Sequence, residues 1–128
     1  YGVAHNLEVM QAAGAIPERV VAVGGGAQSD LQLQIVSDVA GIEQELPAQT
    51  IGASYGDAFL AGLAAGRLTL SDLNDWVTLD RHFTPHPARH KLYQTYYQIY
   101  RNLYPHTAPD VHALARLGAV QERVPKSF

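Results

Sequence analysis

Hydrophobic and polar positions along the chain alternate between helical spacing and short continuous apolar runs. From Val3 to Ala13, apolar residues at Val3, Leu7, Val9 and Met10 predict an amphipathic helix that ends at Gly14. Pro17 and Glu18 then turn the chain. Val20-Val21-Ala22-Val23 is short, continuous and rich in β-branched residues, so it predicts a strand buried on both faces. Three glycines stop it, and a helix is expected from Ala27 or Gln28. That helix should have Leu31, Ile35, Val36 and Val39 on its inner face, Ser29 or Asp30 as its cap and Gly41 as its stop. Ile42–Leu46 reads as a short strand closed by Pro47. Ile51–Gly66 predicts a helix of small residues, which allows close backbone approach at a cost in helix propensity from each interior glycine. Ser71-Asp72 opens a short helical turn towards Trp76, read as an anchor for the C-terminal helices. Phe83–Pro87 is a proline-rich crossing. A long helix is expected over Ala88–Tyr104, closed by Pro105, then a short one over Asp110–Leu117 and a frayed tail from Gln121 to Phe128. This order points to an α/β layer with helical additions.

Composition narrows the classes. The chain has 128 residues, 47% of them apolar and only 16% charged, which is enough for a core and excludes disorder as a description of the whole. Each apolar run is interrupted well short of the roughly 20 residues of a membrane span. No cysteine is present, so neither a disulfide framework nor a thiolate metal site can form. The chain opens on Tyr1-Gly2 inside a helical pattern and reads as a piece of something larger. Its net charge of −3 divides unevenly: residues 1–66 hold Arg19 against seven acidic side chains, and residues 67–128 hold eight basic against five acidic ones. An acidic half, followed by scattered basic residues, speaks against a nucleic-acid site, which needs clustered Lys and Arg.

The most informative stretch is Val20-Val21-Ala22-Val23-Gly24-Gly25-Gly26-Ala27-Gln28-Ser29-Asp30. Glycine removes the Cβ atoms that would hold a ligand off the backbone, and the first N–H groups of a helix are free to meet an anion. Two better-known loops fail by spelling. Ser29 stands where the last glycine of G-x-G-x-x-G belongs, and no lysine precedes Lys91 to complete a phosphate-cradling G-x-x-x-x-G-K-[ST]. A tight turn without a ligand is the competing reading.

The wider context resembles the C-terminal, actin-like domain of the FGGY carbohydrate kinases. The Gly-Gly-Gly-Ala-x-Ser loop carries the resemblance, with Gln34 and Ser37-Asp38 on the next helix and Gly41 before a short strand. The Gly52-Ala53-Ser54-Tyr55-Gly56-Asp57-Ala58 helix, the Ala64-Ala65-Gly66 ending and the Phe83-x-Pro85-x-Pro87 crossing extend it over roughly residues 1–105. Leu33 and Gln28 depart from it, standing where an aromatic and a basic residue are frequent. The resemblance implies a ribonuclease-H-like fold, within an ATP-dependent kinase that phosphorylates a sugar or polyol hydroxyl. Residues 1–66 would belong to the nucleotide-binding lobe, 67–120 to a helical extension packed on it, and 121–128 to a flexible tail. Gly25, Gly26 and Ala27 would approach the adenosine side of ATP. Asp30 would be a polar contact to adenine or ribose, and Ser29 a weaker one. The family's catalytic aspartate, its phosphate loop and most of its Mg²⁺ contacts would lie upstream, so no catalytic or metal-binding residue is assigned here. The implied partners are the remainder of the kinase chain, ATP and the sugar, in the cytoplasm, without nucleic acid or membrane. The alternative is a non-catalytic α/β interaction module with a structural glycine turn.

Other constellations have plainer readings. Asp38 and Asp57 invite a catalytic role but fit packing or helix-to-backbone hydrogen bonds better. His82, His86 and His90 would align only on a helix, which Pro85 and Pro87 interrupt. Tyr93, Tyr96, Tyr97, Tyr100 and Tyr104 share one helical face, expected to pack onto the domain, with a homodimer interface as a further possibility.

Overall fold

Glycines with positive φ punctuate the backbone of the computed structural model, which describes residues 1–121. Helix α1 (Gly2–Ala12) is followed by Gly14 at φ 82°, and α2 (Asp30–Ala40) ends on Gly41 at φ 68°. Both are left-handed positions where a side chain would clash with the next carbonyl. A two-stranded antiparallel sheet pairs β1 (Gln44–Pro47) with β2 (Leu79–Phe83), register Gln44 opposite Phe83 and Leu46 opposite Arg81. Between the strands come α3 (Ala53–Ala64), a 3₁₀ turn at Leu70–Asp72 and the single turn α4 (Leu73–Trp76). The Asp72 carboxylate accepts from the Thr69 amide (2.7 Å) and hydroxyl (2.8 Å), which starts that segment. Helix α5 (Pro87–Gln121) completes the described chain. No helix among the described residues is long and apolar enough to cross a membrane.

Two small cores hold these elements. Ala27, Leu33, Leu46 and Phe83 bury together, with Ala22 against them, between α2 and the sheet. Ala4, Val39 and Tyr97 join α1, α2 and α5.

Several expectations are corrected. Val20–Val23 is not a strand buried on both faces. It makes a single parallel bridge, Val21 with Glu45, and leaves Val21 38% and Val23 52% exposed. The reason lies in its neighbour. A second parallel bridge would need the Pro47 nitrogen to donate to the Ala22 carbonyl, and proline has no N–H. The Gly24 amide donates instead to the Thr50 carbonyl (2.6 Å).

The inner face of α2 is rotated from the one expected. Leu33, Ser37, Asp38 and Val39 are buried, whereas Leu31 is 71% exposed and Ile35 also faces out. On α1, Ala4 is buried while Val3, Val9 and Met10 are exposed. Strand β2 occupies Leu79–Phe83, a stretch for which no strand was expected. Pro105 and Pro109 lie inside one continuous α5 rather than separating two helices. Pro105 and Pro109 are exposed, and the Thr107 hydroxyl donates back to the Leu103 carbonyl (2.9 Å). Trp76 packs on α3, its ring 5.0 Å from Tyr55 and 5.4 Å from Phe59, rather than on the C-terminal helix. Beyond Gln121, the tail expected over 121–128 lies outside the described residues.

Candidate nucleotide site at the glycine turn

The glycine triplet folds as a 3₁₀ turn over Gly25–Gln28, followed by α2 from Asp30, later than the helix start expected at Ala27 or Gln28. Gly24 enters the turn at φ 84°, ψ −167°, a conformation open only to glycine, and its carbonyl accepts from the Ala27 amide (3.1 Å). The Ala27 methyl is buried in the core and fixes the turn from below. Ser29 is the N-cap of α2, its hydroxyl accepting from the Gln32 amide (3.3 Å).

Gly25 and Gly26 are exposed. A Cβ on Gly26 would meet the Gln32 amide nitrogen at 3.0 Å, the end of a flexible side chain. A Cβ on Gly25 would meet nothing within 4 Å, and its φ is not positive. The fold of the described residues therefore gives no steric reason for glycine at 25. Bare backbone at that point is what close approach of a ligand would require.

Asp30, at the first turn of α2, is held by a residue that sequence reasoning passed over. The Arg81 guanidinium of β2 donates to its carboxylate (Nη1 to Oδ2, 2.5 Å) and to Asp80 (Nε to Oδ2, 3.0 Å), and sits 5.7 Å above the Phe83 ring. Hydrogen bonds to Asp30, then Asp80, raise the Arg81 pKa above its ordinary value, so the cation persists at any working pH. Nothing in the sequence pairs positions 30 and 81. The β1–β2 register brings them together.

Asp38 is 2% exposed and accepts from the His86 amide (2.7 Å), Arg89 Nε (2.5 Å) and Gln34 Nε2 (3.0 Å). Burial alone would raise its pKa, but the His86 amide, Arg89 and Gln34 together hold it below the usual carboxylate value. This carboxylate ties α2 to the start of α5, as its position on the helix suggested. Asp57 is exposed on α3. The three histidines stand on separate segments: His82 in β2 beside Glu43 (3.2 Å), His86 before α5, and His90 within it, its Nδ1 2.8 Å from the Asp38 carbonyl oxygen. Of the tyrosine face, Tyr97 is buried and Tyr93 half-buried, with Tyr1 stacked 6.0 Å from Tyr97, while Tyr96, Tyr100 and Tyr104 are exposed.

Beside the turn, Val21, Val23, Ile51, Tyr55, Phe59 and Trp76 line an apolar pocket of about 320 Å³. The residues expected at the nucleotide thus fall into two groups. Gly25, Gly26, Ser29 and Asp30 surround one exposed turn, whereas Ala27 could meet a ligand only through its backbone.

Comparisons with known proteins place this geometry in a family. The model for the "FGGY family of carbohydrate kinases, C-terminal domain" matches residues 1–65. Similar curated proteins include a xylulose kinase of Staphylococcus epidermidis, 28% identical over 109 residues, covering 84% of this chain and 22% of that protein. The xylulose kinase of Escherichia coli K12 is 32% identical over 113 residues, covering 85% of this chain and 23% of its own length. Among solved structures, the xylulose kinase from Rhodospirillum rubrum superposes with a TM-score of 0.71 at 28% identity, covering 87% of this chain and 23% of that one. The chain therefore spans less than a quarter of the length of these relatives. With its mixed α/β architecture and its glycine turn leading into α2, the chain belongs to the FGGY family of carbohydrate kinases, within the C-terminal domain.

Proposed function

We propose that this chain is the nucleotide-binding portion of an ATP-dependent carbohydrate kinase, which transfers a phosphoryl group from ATP to a sugar or polyol hydroxyl. Its share of the work is to hold the adenosine side of ATP at the glycine turn. The carrying observation is Gly25: exposed, unstrained and free of neighbours, in a chain whose first 65 residues match the family's C-terminal domain. Gly25 and Gly26 would admit the nucleotide to the backbone, with Ala27 fixing the turn beneath. Asp30, steadied by Arg81, would offer a carboxylate oxygen to a ribose hydroxyl or to the adenine amino group, with Ser29 beside it.

ATP supplies the phosphoryl group when bound. The described residues contain no group of three or more His, Asp or Glu side chains suited to a metal. A Mg²⁺ ion would be held mainly by the nucleotide phosphates and by residues elsewhere in the kinase. The base at the sugar hydroxyl is assigned elsewhere as well. The finer fold we propose is a ribonuclease-H-like, actin-like lobe, with residues 1–66 in the lobe proper and 67–120 as its helical extension. The enzyme would work in the cytoplasm with the rest of the kinase chain as its partner, and exposed Tyr96, Tyr100 and Tyr104 offer a face for a homodimer.

Gly25→Val in the full-length kinase tests the reading, because the added side chain has room in the fold. The KM for ATP should rise about tenfold or more, equivalent to roughly 1.4 kcal/mol of binding, with the KM for the sugar and the melting temperature little changed. An unchanged KM for ATP would remove the glycine turn from the nucleotide site.

A further inference from the structure

Residues 29–32 spell Ser-Asp-Leu-Gln, the pattern of a reciprocal helix cap. In such a cap the first hydroxyl accepts from the fourth backbone amide, and the fourth side chain bonds back to the first amide. Only half of it forms here. The Ser29 hydroxyl accepts from the Gln32 amide (3.3 Å), but the Ser29 amide donates to the Gly26 carbonyl instead (3.4 Å). The 3₁₀ turn has thus taken the donor that the Gln32 side chain would have met. Gln32 is exposed, and its carboxamide makes no hydrogen bond among the described residues. It lies over the bare face of Gly26: Nε2 is 3.0 Å and Oε1 3.8 Å from the point where a Cβ on that glycine would stand. A donor and an acceptor are therefore set side by side, unspent, above the backbone that Gly25 and Gly26 leave open.

We infer that Gln32 reads the adenine base of ATP, its carboxamide oxygen accepting from the 6-amino group and its N–H donating to the adjacent ring nitrogen. A carboxamide offers adenine both bonds at once. Its neighbours on the turn do not. The Ser29 hydroxyl is a single atom already engaged in the cap, and the Asp30 carboxylate only accepts and is bonded to Arg81. Gly26 gains a reason at the same time: a Cβ there would push the Gln32 amide from this place. The inference deepens the nucleotide reading proposed above and rests on it.

Steady-state kinetics of the full-length kinase test it, with two phosphoryl donors: ATP, and purine riboside triphosphate, which is ATP without the 6-amino group. The preference for ATP in kcat/KM should fall about fivefold in Gln32→Leu, the net worth of one hydrogen bond. The melting temperature and the KM for the sugar should hold, because the side chain is exposed. Gln32→Glu keeps an acceptor oxygen for the amino group and should retain most of the preference. A preference unaltered in Gln32→Leu, or lost alike in Gln32→Leu and Gln32→Glu, overturns the inference. Gly25→Val separates that failure from a failure of the nucleotide reading. If Gly25→Val raises the KM for ATP while Gln32→Leu keeps the preference, the turn holds the nucleotide and Gln32 does not read its base. If neither substitution has an effect, both readings fall.

Discussion

Gly41 shows how one residue can fix two elements at once. It closes α2 at φ 68°, and a Cβ there would lie 2.6 Å from the imidazole of His90 on α5. Gly41→Ala therefore combines left-handed strain with a clash against a side chain that is itself bonded to the Asp38 carbonyl. A loss of about 2 kcal/mol or more is expected, measured as a lower urea midpoint with an unchanged m-value. Gly25→Val, by contrast, should leave that midpoint nearly in place, so the two substitutions separate a glycine kept for folding from one we assign to a ligand. Asp38 acts at the same scale. Replacing it with alanine strands the His86 amide and frees Arg89, for an expected cost of roughly 2–3 kcal/mol. Because its folded pKa is depressed, Asp38 contributes stability that is present above its unfolded pKa. That contribution is lost as the pH falls through the lower folded value, so acid unfolding should set in below about pH 4. In Asp38→Asn this part of the acid sensitivity should disappear, and an unaltered acid limb would refute the assignment.

At the scale of elements, the packing of α1 and α2 on α5 turns on Tyr97. Its ring is 1% exposed within the Ala4–Val39 cluster, and its hydroxyl is buried without a hydrogen-bond partner among the described residues. Burial, followed by the nearby Glu8 carboxylate, pushes its pKa up to about 12; with no bond made, Glu8 acts through its charge. Tyr97→Phe deletes an unsatisfied polar atom and keeps the ring. It should be neutral or stabilising by up to about 1 kcal/mol, whereas Tyr97→Ala should cost about 3–5 kcal/mol. The folded state holds the phenolic proton more tightly than the unfolded state. Stability should therefore decline as the pH rises from about 10 to about 12, and Tyr97→Phe should flatten that decline in thermal melts across the alkaline range.

At the scale of the whole molecule, apolar side chains are left uncovered both on Val20–Val23 and on α2. Leu31 and Ile35 on α2 are unusual solvent-facing side chains, and Val21 and Val23 repeat the pattern one element earlier. The chain covers less than a quarter of the length of these relatives. Arg81 belongs to this scale too, since it joins β2 to α2 across the front of the turn. Arg81→Ala should cost less than about 1 kcal/mol in stability, because both partners of its ion pair are about half exposed or more. If Asp30 contacts the nucleotide as we propose, the same substitution should raise the KM for ATP severalfold, with partial recovery in Arg81→Lys. A KM for ATP unchanged in Arg81→Ala would leave the ion pair with no part in holding ATP.

The sequence by itself determined what short-range chemistry controls. Three glycines between an apolar run and a capped helix announced the turn, Gly14 and Gly41 announced helix ends, and the ordered motifs around them announced the family. Tertiary structure decided everything that depends on a distant partner. Periodicity placed Leu31 and Ile35 inward, but the buried face of α2 is set by polar bonds: Ser37 donates to the Phe83 carbonyl (2.9 Å) and the Gln44 amide donates to Ser37 (2.8 Å). β2 escaped notice because its residues, Asp80, Arg81 and His82 among them, do not alternate as a half-buried strand does. Its existence depends on the backbone of β1. Likewise, Val20–Val23 carries the composition of a central strand, yet the Pro47 nitrogen has no hydrogen to extend the ladder and no described residue fills the opposite edge. Local pattern states which segments are able to pair or bury. Only the assembled chain states which partners are there to meet them.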